Sequence, residues 1–294
     1  MPNTPTPSLT FVLPVYNGAR FFGDTLQKAW QWLATRDGER ELLVVDDGSS
    51  DTTADVIAAF AATLPATPGL RFTAVRNTQN RGKGFSLRRA FLLAQGEHVV
   101  FTDADLTYAM HNAEPLLAAL TAGAQVAYGS RMHDDSRYVV APTFFPKLYT
   151  RHAMGRIFNL LVRGIVVPGI RDTQAGLKGF SRAAARELAG RIRLDRFSFD
   201  VELFFIARRL GMRIDECPVE FIYRKEPSTV RFVQDSLRMV RDMLRIRWRG
   251  MRKVYDRADA ALLADLERGG ALPGMPQPAA VRSPAVKNAR ELGG

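Results

Sequence analysis

The chain has 294 residues, 46% of them hydrophobic and 24% charged, so it is long enough to bury a large core. Its one cysteine, Cys217, excludes an internal disulfide framework and fits a reducing compartment. The net charge of +11 favours an anionic partner, which leaves nucleic acid, a nucleotide phosphate or an anionic membrane surface. No apolar run reaches the roughly 20 residues of a membrane-spanning helix, and we expect neither a transmembrane span nor a signal peptide.

Apolar runs typical of strands alternate with segments of helical period through the first 130 residues. In chain order, LTFVLPVYN precedes RFFGDTLQKAWQWLATR, ELLVVDDGSSD precedes TADVIAAFAATL, LRFTAVRN precedes GKGFSLRRAFLLAQG, HVVFTDADL precedes NAEPLLAALTAG, and AQVAYGSR follows. Repeated strand, loop and helix units of this length predict an α/β fold with a mostly parallel central sheet and helices on both faces. Ligands of such sheets bind beyond the carboxyl ends of the strands.

The composition predicts four segments along the chain. We expect a flexible N-terminus over residues 1–8, a domain over residues 9–228, a basic amphipathic helix over residues 229–258 and a disordered tail over residues 259–294. The tail prediction depends on the last two dozen residues, which are rich in Pro, Ala and Gly and poor in large apolar groups.

The amphipathic helix carries an apolar stripe beside a stripe of arginines. This pattern is typical of a helix that lies in a membrane interface, where each basic group contributes about 1 kcal/mol near an anionic surface. A helix that packs its apolar stripe on the domain and leaves its arginines in water has the same pattern. The apolar stripe is Val233, Leu237, Val240, Leu244, Trp248, Met251 and Tyr255, and the basic stripe is Arg238, Arg241, Arg245, Arg249 and Arg252.

Two pairs of acids lie at predicted strand ends: Asp46 with Asp47, and Asp103 with Asp105. The period of an extended chain turns Ala104 away from its neighbours, so Asp103 and Asp105 can present their carboxylates to one divalent cation. Mg²⁺ or Mn²⁺ held in this way keeps positions open for the phosphate oxygens of a substrate. The alternative is that these acids cap the helix that follows.

Two further patterns carry candidate residues. Gly82 and Gly84 flank Lys83 at a predicted helix start, where free N–H groups and a cation suit an anion, although a tight connection explains the glycines equally well. Asp172, Asp200 and Glu202 lie in apolar or glycine-rich segments, and buried acids need partners.

Seven motifs occur in order between about residues 9 and 255: VLPVYNG, VVDDGSSDTT, NRGKG, TDADL, YGSR, DTQAGLKGF and FDVELFFIARRLG. Together they resemble the family 2 glycosyltransferases with the GT-A fold. Within that family the chain is most similar to the polyprenyl-phosphate hexose synthases, which include dolichyl-phosphate glucosyltransferases and dolichyl-phosphate mannose synthases. The DTQ-G-K-F pattern favours the glucosyl branch.

The resemblance implies a donor half over about residues 9–130 and an acceptor half over about residues 131–228. It implies that Asp103 and Asp105 bind Mg²⁺ or Mn²⁺ and that these two acids and Arg131 form the catalytic set. The nucleotide-sugar set would be Pro14, Tyr16, Asn17, Asp46 or Asp47, Gly82, Lys83, Asp103 and Ala104; the acceptor-phosphate set Arg131, Arg151 and Arg156; and the structural or positioning set Asp172, Gln174, Asp200 and Glu202.

This chain departs from the family pattern at two positions. The first motif commonly reads Pro-x-Tyr-Asn-Glu, but Gly18 replaces the glutamate here, so the nucleotide must be held without that carboxylate. The mannose-type enzymes often carry a glutamine two residues past the second metal aspartate, where this chain has Thr107. The second departure weakens the mannose alternative.

The implied function is a metal-dependent, inverting transfer of a hexose from a nucleotide-sugar to a polyprenyl phosphate on the cytoplasmic face of a membrane. UDP-glucose is the favoured donor, and GDP-mannose stays open. A lipid phosphate is already anionic and needs no general base, whereas a saccharide or lipid hydroxyl would need Asp172, Asp200 or Glu202 for that role.

Other partners and roles are less favoured. A non-catalytic, membrane-associated scaffold is a distant alternative, and the intact Asp103 and Asp105 argue against it. We expect no nucleic-acid partner, because the excess charge is concentrated in one helix and no binding motif accompanies it. A homo-oligomer is left open.

Overall fold

The computed structural model describes residues 8–140, 166–196, 198–223 and 232–267. The strands are β1 (Leu9–Val15), β2 (Arg40–Asp46), β3 (Leu70–Arg76), β4 (His98–Phe101), β5 (Val126–Ser130), β6 (Arg137–Val140), β7 (Lys178–Ser181), β8 (Ile214–Pro218) and β9 (Glu220–Tyr223). The α-helices are α1 (Phe22–Ala34), α2 (Thr53–Ala62), α3 (Lys83–Leu93), α4 (Ala113–Thr121), α5 (Arg182–Ala189), α6 (Phe199–Arg209), α7 (Phe232–Met251) and α8 (Ala260–Glu267), and a 3₁₀ turn (Met110–Asn112) precedes α4.

Seven strands form one sheet in the order β3-β2-β1-β4-β7-β5-β8. The pairs β2–β3, β1–β2, β1–β4 and β5–β8 are parallel, while β7 runs antiparallel to both β4 and β5. Strands β6 and β9 pair separately in a small parallel sheet. The predicted alternation of strands and helices from β1 to β5 is confirmed, and β2 and β4 end at the same edge of the sheet on either side of β1.

Helices cover both faces of the sheet. Because side chains alternate along each strand, neighbouring residues of one strand are buried on opposite faces. On β1, Phe11 and Leu13 join an apolar cluster with α1, α2 and α4. Val12, between them, joins a second cluster on the opposite face, with α3, α5 and α6. The prediction of a mostly parallel sheet with helices on both faces is therefore confirmed.

Helix α7 has an inner and an outer apolar face. Met243 and Ile246 are buried against the domain, and Ser198 donates a hydrogen bond to Asp242 at 2.8 Å. A different set of large apolar side chains is exposed, one every three or four residues: Val240 42%, Leu244 61%, Trp248 53% and Met251 74%. The exposed arginines beside them are Arg241, Arg245, Arg247 and Arg252. The helix thus packs on the domain and still presents an apolar stripe outward.

Two members of the predicted stripes lie elsewhere. Tyr255 is fully buried and donates a hydrogen bond to Glu202 at 2.6 Å, because α7 ends at Met251 and the chain turns back at Lys253 with a φ of 55°. Arg249 faces inward, with its guanidinium 3.3 Å from Glu202. The side chains of residues 232–238 lie outside the described part of the chain, so the structure says nothing of Val233, Leu237 and Arg238.

The prediction of a disordered tail from residue 259 is wrong for residues 260–267, which form α8. Asp259 caps this helix by accepting hydrogen bonds from the N–H groups of Ala261 and Leu262, and Leu266 is buried. Asp265 also pairs with Arg81 at 2.8 Å. Leucines three residues apart in ALLADL supplied enough apolar surface for this segment to dock.

Several sequence predictions fall outside the described residues. Arg151 and Arg156 do, and so do the N-terminus before Ser8 and the chain after Glu267. Among the helices that the structure describes, none combines the length and the apolar character that crossing a bilayer requires.

Candidate active site

The loops that follow β1, β2 and β4 meet at one edge of the sheet. The Asn17 N–H donates to the Ser49 hydroxyl at 2.9 Å, and the Ser50 N–H donates to the Asn17 side-chain oxygen at 2.9 Å. On the other side of β1, the Thr25 hydroxyl donates to the Ala104 carbonyl at 2.7 Å. Parts of three separate motifs are therefore held together around the end of β1.

The first loop presents one large exposed group. Pro14 is buried within β1, whereas the side chain of Tyr16, directly after the end of β1, is 48% exposed. Gly18 is buried, and its N–H donates to the Thr53 hydroxyl at 2.9 Å. A Cβ on Gly18 would lie 2.7 Å from a methyl group of Val15, so the glutamate common in the family motif could not be placed here without a shift.

Asp46 and Asp47 are both buried, and both are engaged by their own chain. Asp46 accepts hydrogen bonds from the backbone and hydroxyl of Ser49, and its second oxygen lies 3.2 Å from the Arg76 guanidinium. Asp47 accepts from the Asn77 amide at 2.8 Å, from the Arg81 N–H at 3.0 Å and from the Gly82 N–H at 2.7 Å. Asp46 therefore shapes the turn after β2, and Asp47 fixes the glycine loop before α3.

At the start of α3, three backbone N–H groups are already bound by the protein itself, which agrees with the alternative that the glycines form a tight connection. The N–H groups of Arg81 and Gly82 donate to Asp47, and the Gly84 N–H donates to the Asp195 carbonyl at 2.8 Å. A helix start favours a negative charge, and here the carboxylate of Asp47 supplies it. Gly82 is required for two reasons, because its φ is 104° and an added Cβ would lie 2.3 Å from the Asp195 carbonyl oxygen.

Asp103 and Asp105 lie on a tight turn beyond β4, closed by a hydrogen bond from the Leu106 N–H to the Asp103 carbonyl at 3.1 Å. Leu106 has a φ of 48°, which is uncommon for a branched residue and marks a turn that its surroundings impose. Asp105 accepts hydrogen bonds from the Thr107 N–H at 3.0 Å and from its hydroxyl at 2.6 Å. The Asp103 side chain is 37% exposed, and its carboxylate pairs with the Lys83 ammonium.

Lys83 lies among several acids. Burial alone would lower its pKa, but Asp103 and Asp200 outweigh that effect and hold the pKa above its ordinary value. The ammonium also lies 5.3 Å from the centre of the Phe101 ring. Lys83 is therefore a cation placed directly at the carboxylate of the D-x-D turn.

A buried ion pair lies behind this turn. The Lys178 ammonium is fully buried and donates to Asp200 at 2.6 Å and to the Ala175 carbonyl at 2.6 Å. Burial lowers the pKa of Lys178 and raises that of Asp200, and each partner partly offsets the shift of the other.

A second buried acid binds Arg131. Asp172 is 1% exposed and accepts hydrogen bonds from the Arg131 guanidinium at 2.7 and 2.8 Å and from its backbone N–H at 3.1 Å. Burial would raise the pKa of Asp172, but the charge and hydrogen bonds of Arg131 hold it below the usual range. The guanidinium also lies 5.5 Å from the centre of the Phe221 ring, so its plane is fixed from two sides.

The remaining predicted positions are Gln174 and Glu202. Gln174 lies half-buried on the loop between Asp172 and β7. Glu202 accepts hydrogen bonds from the N–H groups of Arg193 and Leu194 and from the Tyr255 hydroxyl, so it holds the loop before α6 and the segment that follows α7. Burial raises its pKa.

Sequence reasoning missed three residues around the turn. Lys178 and Gly176 belong to a quoted motif but were given no role, and Tyr108 follows the D-x-D turn directly. The Tyr108 ring packs against Phe221 at 5.1 Å, and burial beside Asp172 and Asp103 raises the pKa of its hydroxyl far above the ordinary value. The available signal was a lysine at the start of a strand with no acid near it in sequence.

Two of the relatives that comparison with known proteins found are dolichyl-phosphate β-glucosyltransferases. The dolichyl-phosphate β-glucosyltransferase of Homo sapiens is 31% identical over 258 residues, which cover 84% of this chain and 77% of the human protein. The protein of the same name from Dictyostelium discoideum is 28% identical over 251 residues, 82% of this chain and 74% of that protein.

Glucosyl-3-phosphoglycerate synthase from Mycobacterium tuberculosis, solved in complex with Mg²⁺ and uridine diphosphate, has a similar fold. It superposes with a TM-score of 0.54 and 18% identity, over 86% of this chain and 81% of that one, in agreement with the predicted GT-A fold. A model of glycosyl transferase family 2 matches residues 10–188. The chain therefore belongs to glycosyl transferase family 2 and is a glycosyltransferase.

Proposed function

We propose that this chain transfers a hexose, with glucose favoured over mannose, from a nucleotide-sugar to a polyprenyl phosphate at the cytoplasmic face of a membrane. The observation that carries the proposal is the turn beyond β4, where Asp103 and Asp105 stay partly exposed beside Lys83 at the ligand-binding edge of the sheet. The names of the human and Dictyostelium relatives support the glucosyl donor and the polyprenyl phosphate acceptor.

On the donor side, the exposed Tyr16 ring offers an apolar face to a nucleotide base at the mouth of the edge. Asp46 and Asp47 form the walls of this pocket by fixing the loops after β2 and before α3, since one oxygen of Asp46 and both oxygens of Asp47 already accept hydrogen bonds from those loops. Lys83 pairs with Asp103 on the D-x-D turn, and we assign it to a phosphate of the donor.

The residues of the turn fit Mg²⁺ or Mn²⁺. Among the described residues there is no group of three or more His, Cys, Asp or Glu side chains that could hold a metal ion. Magnesium bound with a substrate phosphate needs only one or two protein carboxylates, and Asp103 and Asp105 provide two on one turn. When bound, the ion would neutralise the charge that develops on the departing nucleoside diphosphate.

On the acceptor side, Asp172 holds the guanidinium of Arg131 in a fixed plane at the end of β5. A guanidinium fixed in this way suits the oxygens of a phosphate, and its orientation costs little entropy on binding. We assign Arg131 to the acceptor phosphate and Asp172 to the orientation of Arg131. Arg151 and Arg156 stay predictions for the same phosphate.

The condition of the buried acids supports a phosphate acceptor over a hydroxyl acceptor. Asp172 is bound by Arg131, Asp200 by Lys178, and Glu202 by two N–H groups and Tyr255. A general base must reach the proton that it removes and must be free to accept it. An ionised phosphate oxygen needs no such base and can attack the anomeric carbon directly, which would invert an α-linked donor into a β-linked product.

The outer face of α7 fits a membrane surface. Its exposed Val240, Leu244, Trp248 and Met251 would enter the headgroup region, with Arg241 and Arg245 beside anionic lipid. A lipid acceptor requires the active site to work close to such a surface, and α7 packs on α6, whose first turn carries Asp200.

The test is transfer of label between phases. Radiolabelled UDP-glucose or GDP-mannose is incubated with the protein, polyprenyl phosphate in vesicles, and Mg²⁺ or Mn²⁺, and the organic phase is counted before and after mild acid. We expect UDP-glucose label in lipid that mild acid releases, and none after chelation of the metal. Label that resists mild acid would instead indicate a hydroxyl acceptor, and an active, metal-free protein would contradict the assignment of Asp103 and Asp105.

A further inference from the structure

Gly176 lies directly opposite Asp103. Strands β4 and β7 pair antiparallel, with His98 opposite Ser181 and Phe101 opposite Lys178. Extension of this register by two residues brings Gly176 to the position across from Asp103. Directly opposite residues of an antiparallel pair project from the same face, with their Cβ atoms about 5 Å apart, so a side chain at position 176 would be a direct neighbour of Asp103.

The Asp103 carboxylate fills the space that a side chain at position 176 would need. A Cβ added to Gly176 would lie 2.0 Å from Asp103 Oδ2 and 2.6 Å from its Cγ. The backbone of Gly176 is not in the left-handed region that favours glycine. Glycine is therefore required here for the room that it leaves, and the group that uses the room is the carboxylate of Asp103.

The backbone around Gly176 is held in place from two sides. The Ala175 carbonyl accepts a hydrogen bond from the buried Lys178 ammonium at 2.6 Å, and Lys178 is bound in turn by Asp200. The Leu177 carbonyl accepts from the Gly129 N–H on β5 at 3.0 Å. This segment cannot retreat easily, so a larger residue at position 176 would displace the side chain of Asp103.

We propose that Gly176 is a positioning residue for Asp103. One carboxylate oxygen of Asp103 packs against the backbone of Gly176, and the other pairs with the Lys83 ammonium. The Asp103 side chain is therefore confined between this backbone and a cation. The ion pair of Lys178 and Asp200 holds the Gly176 backbone in place, because Lys178 also donates a hydrogen bond to the Ala175 carbonyl. The inference rests on the proposed function, because it concerns the aspartate that we assign to the metal and the donor.

The experiment compares Gly176→Ala with Gly179→Ala, since Gly179 lies on β7, three residues after Gly176. A Cβ on Gly179 would approach Leu120 at 3.0 Å and Val100 at 3.4 Å, which are apolar core groups away from the turn. Binding of Mn²⁺ in the presence of UDP is measured by the electron paramagnetic resonance signal of free Mn²⁺, and folding is measured by circular dichroism. We expect Gly176→Ala to weaken Mn²⁺ binding at least tenfold with the fold retained, and Gly179→Ala to leave it unchanged.

A double-mutant cycle with Asp103→Ala shows whether Gly176 acts through Asp103. The three atoms nearest to the added Cβ all belong to the Asp103 side chain, so the shorter alanine removes the clash. We expect Asp103→Ala to weaken Mn²⁺ binding and Gly176→Ala to add nothing in that background. If Gly176→Ala alone fails to fold, the double variant should fold, and a failure of both would overturn the inference.

Two other results would also overturn it, and they separate its failure from that of the proposed function. Wild-type Mn²⁺ binding in Gly176→Ala, or additive losses in the cycle, would refute the positioning role while an effect of Asp103→Ala leaves the metal assignment standing. Wild-type Mn²⁺ binding in Asp103→Ala would refute the metal assignment, and the inference with it.

Discussion

The ends of β2 and β4 carry the same signature, two acids after an apolar strand, but the structure treats the two pairs differently. Asp46 and Asp47 are buried and accept hydrogen bonds from the loops around them. Asp103 and Asp105 lie partly exposed on a turn, where Asp103 pairs with the ammonium of Lys83 and Asp105 accepts hydrogen bonds from the N–H and the hydroxyl of Thr107.

The difference follows from the surroundings of each carboxylate. An acid surrounded by N–H donors of its own chain has its lone pairs filled, and it contributes to stability by holding those donors. An acid that meets a cation and solvent can exchange that cation for a ligand. Substitutions at the two strand ends should therefore separate, with catalysis affected at β4 and folding affected at β2.

The largest expected effect is loss of transfer on replacing Asp103 or Asp105 by Asn. Removal of a charge that stabilises a transition state costs about a hundredfold in rate or more. Neither side chain supports the core, so we expect the melting temperature to stay close to that of the wild-type protein. Label transfer into lipid measures the first effect and thermal unfolding the second. A variant with unaltered turnover would show that the turn at β4 is not the metal site.

Asp47→Ala should have the opposite profile. It leaves the Asn77 amide and the N–H groups of Arg81 and Gly82 without their acceptor, at a cost of about 3 kcal/mol in the free energy of unfolding. Asp51→Ala is the matched control, since Asp51 is exposed and accepts from Thr53 at the start of α2, with an expected cost of about 1 kcal/mol. Urea denaturation gives both values, and equal costs would contradict the distinction.

The sequence predicts where the two acid pairs lie better than it predicts which of these acids are bound by the chain itself. Alternating periodicities predict β1 to β5 and their helices, and parallel strands bring both acid pairs to one edge whatever else the chain does. Which acids are filled by their own chain depends on Asn77, Arg81 and Gly82, and these contacts become visible only when the loops are in place. The same holds for Asp200, whose partner Lys178 lies on an antiparallel strand, inserted between β4 and β5, that no local pattern predicts.

Two residues assigned to the stripes of α7 face the domain instead of the outside. Helical periodicity assigned Tyr255 to the apolar stripe and Arg249 to the basic stripe, but Glu202, which lies 47 residues before Arg249 and 53 before Tyr255, binds both. A buried acid needs partners, and it takes them from whichever segment folds against it. Periodicity predicts that a face is apolar, and it says nothing about which of two apolar faces the domain covers.

The same contrast between inward and outward groups can be tested on α7. Ile246 is fully buried and Leu244, two residues earlier, is 61% exposed. We expect Ile246→Ser to lower the free energy of unfolding by about 3 kcal/mol, because it removes buried apolar atoms and buries a hydroxyl. Leu244→Ser should leave stability nearly unchanged and lower the affinity for vesicles that contain an anionic lipid, by about tenfold.

Sedimentation of the protein with vesicles of phosphatidylcholine and phosphatidylglycerol measures the membrane effect, with pure phosphatidylcholine as the comparison. Equal vesicle binding by Leu244→Ser and the wild-type protein would show that the outward face of α7 does not enter the membrane. Its exposure would then require another partner.

The smallest expected effect concerns Asp172, which is buried like Asp47 but faces a cation. The charge of Arg131 holds the pKa of Asp172 below 3.8 in the folded protein, despite burial, which would raise it. Between the folded pKa and 3.8 the unfolded chain binds more protons than the folded one, so stability rises with pH there. The stabilisation is complete above the unfolded pKa and is lost as the pH falls through the folded value.

Comparison of the wild-type protein with Asp172→Asn isolates this contribution. The two should differ by a constant free energy of unfolding at pH 5 to 7, and the difference should shrink as the pH falls below 3.8. Asp200 and Glu202 act in the opposite sense, since burial raises the pKa of each, and stability falls as the pH rises from the unfolded pKa to the folded pKa. Both proteins contain these two acids, so their effect cancels in the comparison. A difference that persists unchanged to pH 3 would show that Arg131 does not lower the pKa of Asp172, and that the contribution of Asp172 to stability does not depend on its charge.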